Sequence, residues 1–304
     1  MAYEIATPLI IVAGLIGNLI VCSLIIKNKT MRTSFNYLLL NLAVSDLLCT
    51  ILGGLFYAGQ IRIRYFSDKN FLRNDFDGIA CKIATTSISL TTSNSVFTLA
   101  AISTDRFYAI VHPWKHRKAM ATRKVCVFLV ILWLVAVTTT LPMVLVMTKI
   151  PNTLHDEATL ALCMQNLMDD NSFKSVAFVD LIASYIIPMA IILRTSFAII
   201  KHLWCRFPCG GQFEEPEWSQ ALLKSRKRIT RIVFSVIIAF NVFWLPWAIL
   251  EGSLLIEAVQ HVDDKTFSVM FTLVLASASV NPILYSLQSR QFRNAVKKML
   301  RCVN

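Results

Sequence analysis

The sequence predicts an all-α membrane protein: a bundle of seven transmembrane helices followed by a short amphipathic helix on the membrane surface. Three observations carry this. Of 304 residues, 56% are hydrophobic and only 16% charged, more apolar surface than one soluble core hides. Seven apolar runs recur, each about 20 residues long, the length a helix needs to cross roughly 30 Å of hydrocarbon while satisfying its own backbone. Charge is also unevenly placed. On one side of that topology lie 22 of the 30 basic residues with four acids, giving +18; the other side holds eight bases and thirteen acids, giving −5; Asp46, within a span, completes the net +12. The positive side is assigned to the cytosol and the amino terminus to the exterior.

The chain reads as a single domain, 1–304, without internal repeats. Helix one covers about residues 6–27 (apolar run Thr7 to Ile26) and contains Asn18; helix two covers 35–59 (Tyr37 to Ala58) and contains Asp46. Helix three, 80–111 (Ile83 to Ile102), contains Ser95 and ends in "STDRFYAIVHPWKHR", where Asp105 and Arg106 stand together. Helix four is placed at 123–147, helix five at 174–204, helix six at 222–256 and helix seven at 265–287, with Asn281 in the last. Pro142, Pro188, Pro246 and Pro282 interrupt these four spans; each removes a backbone donor and allows a bend, as a hinge or simply as part of the bundle's shape. The linker-like stretch "CRFPCGGQFEEPEWSQ" joins helices five and six. After helix seven, residues 289–302 set Phe292, Val296, Met299 and Leu300 on one face and bases mostly elsewhere, the pattern of an amphipathic helix on a membrane surface. Cys302 at its end is a candidate for palmitoylation, the alternative being a free thiol.

Basic residues beside membrane spans match anionic inner-leaflet lipid, so membrane lipid and not nucleic acid is the expected partner of the net charge. The amino terminus lacks the basic region of a cleavable signal, and the first helix is expected to serve as its own. In this topology only Cys81 and Cys163 of the eight cysteines face the oxidising exterior. A disulfide between them is expected to tie the outer loop over the mouth of the bundle, two unpaired thiols being the alternative. The pattern Asn28-Lys29-Thr30 falls in a cytosolic loop and is not expected to be glycosylated. Asn18, Asp46, Ser95, Arg106 and Asn281 are costly in lipid and should face the interior and each other, as helix glue or, around Asp46, as a cation site.

Taken in order, several short motifs resemble those of the rhodopsin-like (class A) G-protein-coupled receptors: "GNLIV" with Asn18, "NLAVSDLL" with Asp46, Cys81, "DRF" at Asp105 to Phe107, Trp133, Pro188, "FNVFWLPW" at Phe240 to Trp247, and "NPILY" at Asn281 to Tyr285. The resemblance implies a receptor of the plasma membrane that binds an extracellular ligand and activates a heterotrimeric G protein, with arrestin a further expected partner. It implies that helix six swings near Pro246 to open a cytosolic cleft. Arg106, held by Asp105 at rest, would then be released, with Phe240, Trp244, Asn281, Pro282 and Tyr285 relaying the change. Asp46, Ser95 and Asn281 would form an inhibitory sodium site. Nucleotide exchange would occur on the partner, so the chain itself is not expected to be an enzyme. Departures are informative. Arg226 stands eighteen residues before Trp244, where many members carry an acid; Ser196 replaces a common tyrosine; Ser277 and Ala278 replace Asn and Ser; Phe107 and Phe243 replace Tyr and Cys. Altered basal activity is expected.

Ile88 occupies the place where amine receptors carry an Asp, which argues against a typical monoamine. From Thr266 to Leu287 helix seven contains no lysine, and Leu275 stands at the opsin Schiff-base position, so no covalent retinal and no other resident cofactor is expected. Asp180, eight residues before Pro188, and Glu251, two turns after Trp244, should face the outer cavity. There they favour a cationic ligand, a basic or amidated peptide ahead of an atypical amine, unless they lie at the rim or pair with Lys82, Lys149 or Lys174. Phe56, Tyr57, Ile88, Thr92, Ser184, Trp244, Trp247 and Phe271 would line the same cavity, or else serve only in helix packing. The rival class, a seven-span transporter or ion pump, calls for a chain of intramembrane carboxylates or repeats; only Asp46 lies deep. No HExxH or GxSxG pattern suggests an enzyme.

Overall fold

The computed structural model describes residues 2–66, 76–113, 122–147, 170–205, 217–259, 261–288 and 290–301. Its elements are α1 (Ala2–Lys27), α2 (Ser34–Phe66), α3 (Phe76–Val111), α4 (Thr122–Met147), α5, α6 (Glu217–Leu255), α7 (Asp264–Gln288) and α8 (Arg290–Arg301), with a single 3₁₀ turn at Lys29–Met31. α5 is built from three consecutive pieces, Asn171–Asp180, a π-helical turn Leu181–Ile186, and Ile187–Cys205. All regular structure among the described residues is helical. The helices begin and end within a few residues of expectation, the largest excess being α2, which runs to Phe66 instead of 59.

Among the described residues, six helices are long and apolar enough to cross a membrane. The seventh, α3, is long enough but is not the apolar run expected. Thr91, Thr92, Ser93, Asn94, Ser95, Thr98 and Ser103 are all buried in it. The reason is its position: α3 packs against α2, α4, α5 and α6 at once, so protein covers most of it, and small hydroxyl residues allow close packing. α1 and α4 show the opposite balance. Ile5, Leu9, Val12 and Ile16 of α1 and Val127, Val130, Ile131 and Leu134 of α4 are exposed, as residues facing acyl chains should be.

Helix contacts are specified by small groups and by prolines. A methyl group on Gly17 would stand 2.9 Å from the Pro282 ring, and one on Gly14 would overlap Ser279. Glycine at both positions is what lets α1 and α7 approach. Pro282 cannot donate to the Ala278 carbonyl one turn back; the Asn18 side-chain amide donates to it instead, at 3.0 Å, and to the Gly14 carbonyl at 3.0 Å. Pro8 likewise strips the donor from the Glu4 carbonyl, and the Tyr57 hydroxyl supplies one at 3.0 Å. In α5, Pro188 leaves the Ser184 carbonyl without its helical partner, and the helix widens immediately before it; the Ile187 amide donates to Ile182, five residues back. α8 is amphipathic as expected, with Phe292 and Ala295 buried and the Phe292 ring edge-on to Tyr285. Arg293 donates to the carbonyls of Leu287, at 2.5 Å, and Ser286, at 3.2 Å, closing the end of α7.

Candidate functional site

At the end of the bundle that carries the amino terminus, a cavity of about 850 Å³, counted out to its open mouth, lies among α2, α3, α5, α6 and α7. Ile88, Thr92, Asp180, Ser184, Trp244, Trp247, Glu251, Phe271 and Phe56 all line it, as the spacing predicts. Tyr57 does not. One residue on from Phe56, it is turned about 100° round the helix and faces α1, where it bonds Glu4. The lining also includes Thr85, Ser89 and Ser93, a hydroxyl stripe at helical spacing that was readable in "TTSISLTTS".

Aromatic rings form the cavity's floor. Phe240, Trp244 and Trp247 follow one another up α6, with Trp244 and Trp247 stacked at 6.3 Å. Tyr185 packs on Trp244, and Phe267 sits edge-on to Trp247 at 5.3 Å. Against this apolar wall stand two acids. Both oxygens of Asp180 accept hydrogen bonds, from Ser184 at 2.8 Å and, across to α3, from Ser89 at 3.2 Å. The π-turn between Asp180 and Pro188 sets this register. Glu251 has Trp247 as its hydrogen-bonding neighbour and lies near enough to Asp180 for the two charges to oppose one another. Among the described residues no lysine, arginine or histidine lines the cavity, and neither acid is in an ion pair. Of the bases that could have neutralised them, Lys82 is not in the lining, Lys149 lies outside the described residues, and Lys174 is taken by Glu257 at 2.6 Å. That pair sits on the surface just past α6, where the Lys174 ammonium, by its hydrogen bond and its charge, holds the Glu257 carboxyl below its usual range. It therefore contributes at neutral pH and is lost as pH falls through the lowered value.

Below the cavity three of the five buried polar residues, Asp46, Ser95 and Asn281, meet, while Asn18 bonds backbone carbonyls and Arg106 lies at the other end. Asp46 accepts from Asn281 at 2.8 Å and from Ser95 at 3.1 Å. Ser277 turns to its own helix, donating to the Val274 carbonyl at 2.7 Å. The Asp46 carboxylate, the Ser95 hydroxyl and Asn281 Oδ1, which is buried without a hydrogen-bond partner, are hard oxygen donors of the kind a small hard cation takes. A second network joins three helices: Asn41 donates to Thr98 at 2.8 Å and accepts from Trp133 at 2.9 Å.

At the basic end, Arg106 is buried and bonded to Asp105 through both Nε, at 2.9 Å, and a terminal guanidinium nitrogen. Its guanidinium also lies over the ring of Phe35, 4.5 Å from the centroid. This contact was missed in the sequence. Arg226 is in α6, but its side chain is outside the described residues, as are the side chain of Cys81 and all of Cys163 and Cys302.

A helical membrane bundle with a cavity at one end, a buried arginine at the other and a polar track between them has the layout of a transmembrane signalling receptor. The chain belongs to the 7 transmembrane receptor (rhodopsin family), which it matches over residues 17–285. Similar proteins include the allatostatin-A receptor of Bombyx mori, 29% identical over 96% of this chain and 77% of that one. The RYamide receptor of Tribolium castaneum is 26% identical over 96% and 78%, and the human neuropeptide FF receptor 1 is 28% identical over 98% and 70%. The transporter alternative finds no support in these matches.

Proposed function

We propose that this receptor is activated by an extracellular peptide with a basic or amidated end, and that it passes the signal to a heterotrimeric G protein at its basic end. The observation that carries the reading is the pair Asp180 and Glu251 in an aromatic cavity without a basic partner among the described residues. Carboxylates in a partly desolvated wall need a counter-charge, and a guanidinium or ammonium group of the ligand supplies it. Asp180 already has an acceptor bond filled on each oxygen, so Glu251 is the acid left to meet the ligand's cation, while Asp180 and its two serines hold its polar backbone or terminal amide. Several relatives are named for peptides and one for an amide, which favours this ligand class over a small amine.

In the same reading the amino terminus is extracellular, the membrane is the plasma membrane, and nucleotide exchange takes place on the G protein. Cys81 pairs with Cys163 over the cavity mouth, Cys302 is palmitoylated, arrestin binds the activated form, and Asp46, Ser95 and Asn281 hold a sodium ion. Outward movement of α6 near Pro246 frees Arg106 from Asp105. The test is a screen of basic and amidated peptides beside small amines, read by calcium and cyclic AMP. Glu251→Gln should cost at least tenfold in potency for a basic peptide, about 1.4 kcal/mol, and Asp180→Asn a smaller factor. Unchanged potency in both variants at equal surface expression would overturn the ligand class.

A further inference from the structure

A second and larger hollow lies on the outside of the bundle, between α3, α4 and α5, with about 1710 Å³ of space counted out to its open side. It follows from how the helices meet. α4 packs on the first piece of α5, whereas α3 keeps company with the remainder. Toward the basic end α4 and α5 therefore diverge, leaving α3 as the floor of a groove. Ala100 and Ala101 on α3 and Ala183 on α5 give it depth. Phe128, Val135 and Ile187, all partly exposed, form rims that face the hydrocarbon.

The groove is polar at one end only. Thr104 and Thr139 spend their hydroxyls on their own helices, donating to Ala100 at 2.8 Å and Ala136 at 3.0 Å, and Asp105 is neutralised by Arg106. What remains are the Tyr108 hydroxyl and the Lys124 ammonium, both at the basic end of the lining and both exposed. Neither has a hydrogen-bond or ion-pair partner among the described residues. From Lys124 to Thr139 the α4 wall runs ~22 Å and from Tyr108 to Phe97 the α3 floor runs ~16 Å. One leaflet's hydrocarbon is about 15 Å deep.

We propose that this groove is a binding site for an anionic glycerophospholipid of the leaflet at the basic end. One acyl chain lies along the alanine floor, and the phosphate rests against Lys124 and the Tyr108 hydroxyl. The cation at the headgroup level, Lys124, favours net negative charge. Phosphatidylcholine brings its own cation to that place, and a sterol brings none of the charge. Because Asp105 forms part of the groove floor, the bound lipid also touches the carboxylate that holds Arg106.

The full-length receptor, purified in mild detergent with equal amounts of phosphatidylglycerol, phosphatidylcholine and cholesterol, tests this by native mass spectrometry of retained lipid. One phosphatidylglycerol should be kept several-fold in preference to the other two. Lys124→Gln should lower that retention several-fold, while Lys201→Gln, which removes another exposed base on the same side, should leave it unchanged. Ala101→Phe, filling the groove, should abolish it with the melting temperature intact; Ala183→Leu serves if that variant does not fold. Equal retention of phosphatidylglycerol and phosphatidylcholine, preferred retention of cholesterol, or equal losses in Lys124→Gln and Lys201→Gln would overturn the site.

Discussion

Arg106 is held on two sides, by the Asp105 carboxylate next to it in α3 and by the face of Phe35 in the first turn of α2. A cation over an aromatic face is worth about 0.5–2 kcal/mol, the more so when shielded from water, and Arg106 is only 6% exposed. In a two-state receptor that energy falls on the resting side. Phe35→Leu should therefore raise basal signalling by roughly 2- to 30-fold, measured as G-protein activation without agonist at matched surface expression. Phe35→Tyr, which keeps the ring, should not. Basal signalling in Phe35→Leu equal to the wild type would show that the ring merely packs. Most of the individual site residues were legible, because each stood at a fixed helical distance from Trp244, Pro188 or Asp46. Phe35 was not, because its role depends on how the start of α2 meets the end of α3. Tyr57 was misread because a one-residue step turns a side chain to another neighbour, and the vacant carbonyl created by Pro8 was waiting there.

The unit that decides the cavity's chemistry at the next scale is α5. Seven spans were expected from the sequence, but the π-turn at Leu181–Ile186 was not visible: one extra residue per turn leaves no mark on a stretch that is apolar on nearly every side. Its cause was legible in Pro188. Restoring an amide with Pro188→Ala lets the Ser184 carbonyl regain its partner, which favours an ordinary α-helix through this segment. Residues upstream would then rotate by about 100° for the one residue absorbed, and Asp180 would lose Ser89. Potency of a basic or amidated peptide should fall several-fold in Pro188→Ala at unchanged surface expression; undiminished potency would mean that the turn persists without the proline. α3 teaches the converse lesson. Its Ser, Thr and Asn content was in plain view, yet a helix was judged by the apolarity that lipid demands, while α3 is covered over most of its surface by other helices.

Across the whole molecule, the buried polar atoms are distributed in a way that bears on mechanism. Thr92 Oγ1 and Trp244 Nε1 near the cavity, Asn18 Oδ1, Asn94 Oδ1 and Asn281 Oδ1 further down, and the Tyr285 hydroxyl near α8 are buried without a hydrogen-bond partner. Each such group costs about 1–3 kcal/mol, and together they run from the cavity floor toward the basic end. A core selected for stability alone would have replaced them; a core that must adopt two arrangements retains groups that the other arrangement satisfies. Asp46 lies on the same track but has hydrogen-bond partners in Ser95 and Asn281; the penalty for burying a carboxylate is several kcal/mol even so. Asp46→Asn keeps the shape and one acceptor oxygen while removing that charge. If the track serves the transition, the variant should melt at the same temperature as the wild type or higher, and its maximal response to agonist should fall. If Asp46 is only helix glue, the signs reverse: the melting temperature drops with the loss of the charge-assisted bonds to Ser95 and Asn281, and signalling per folded receptor is preserved. Thermal melting of the purified protein, set beside agonist response normalised to surface expression, separates the two.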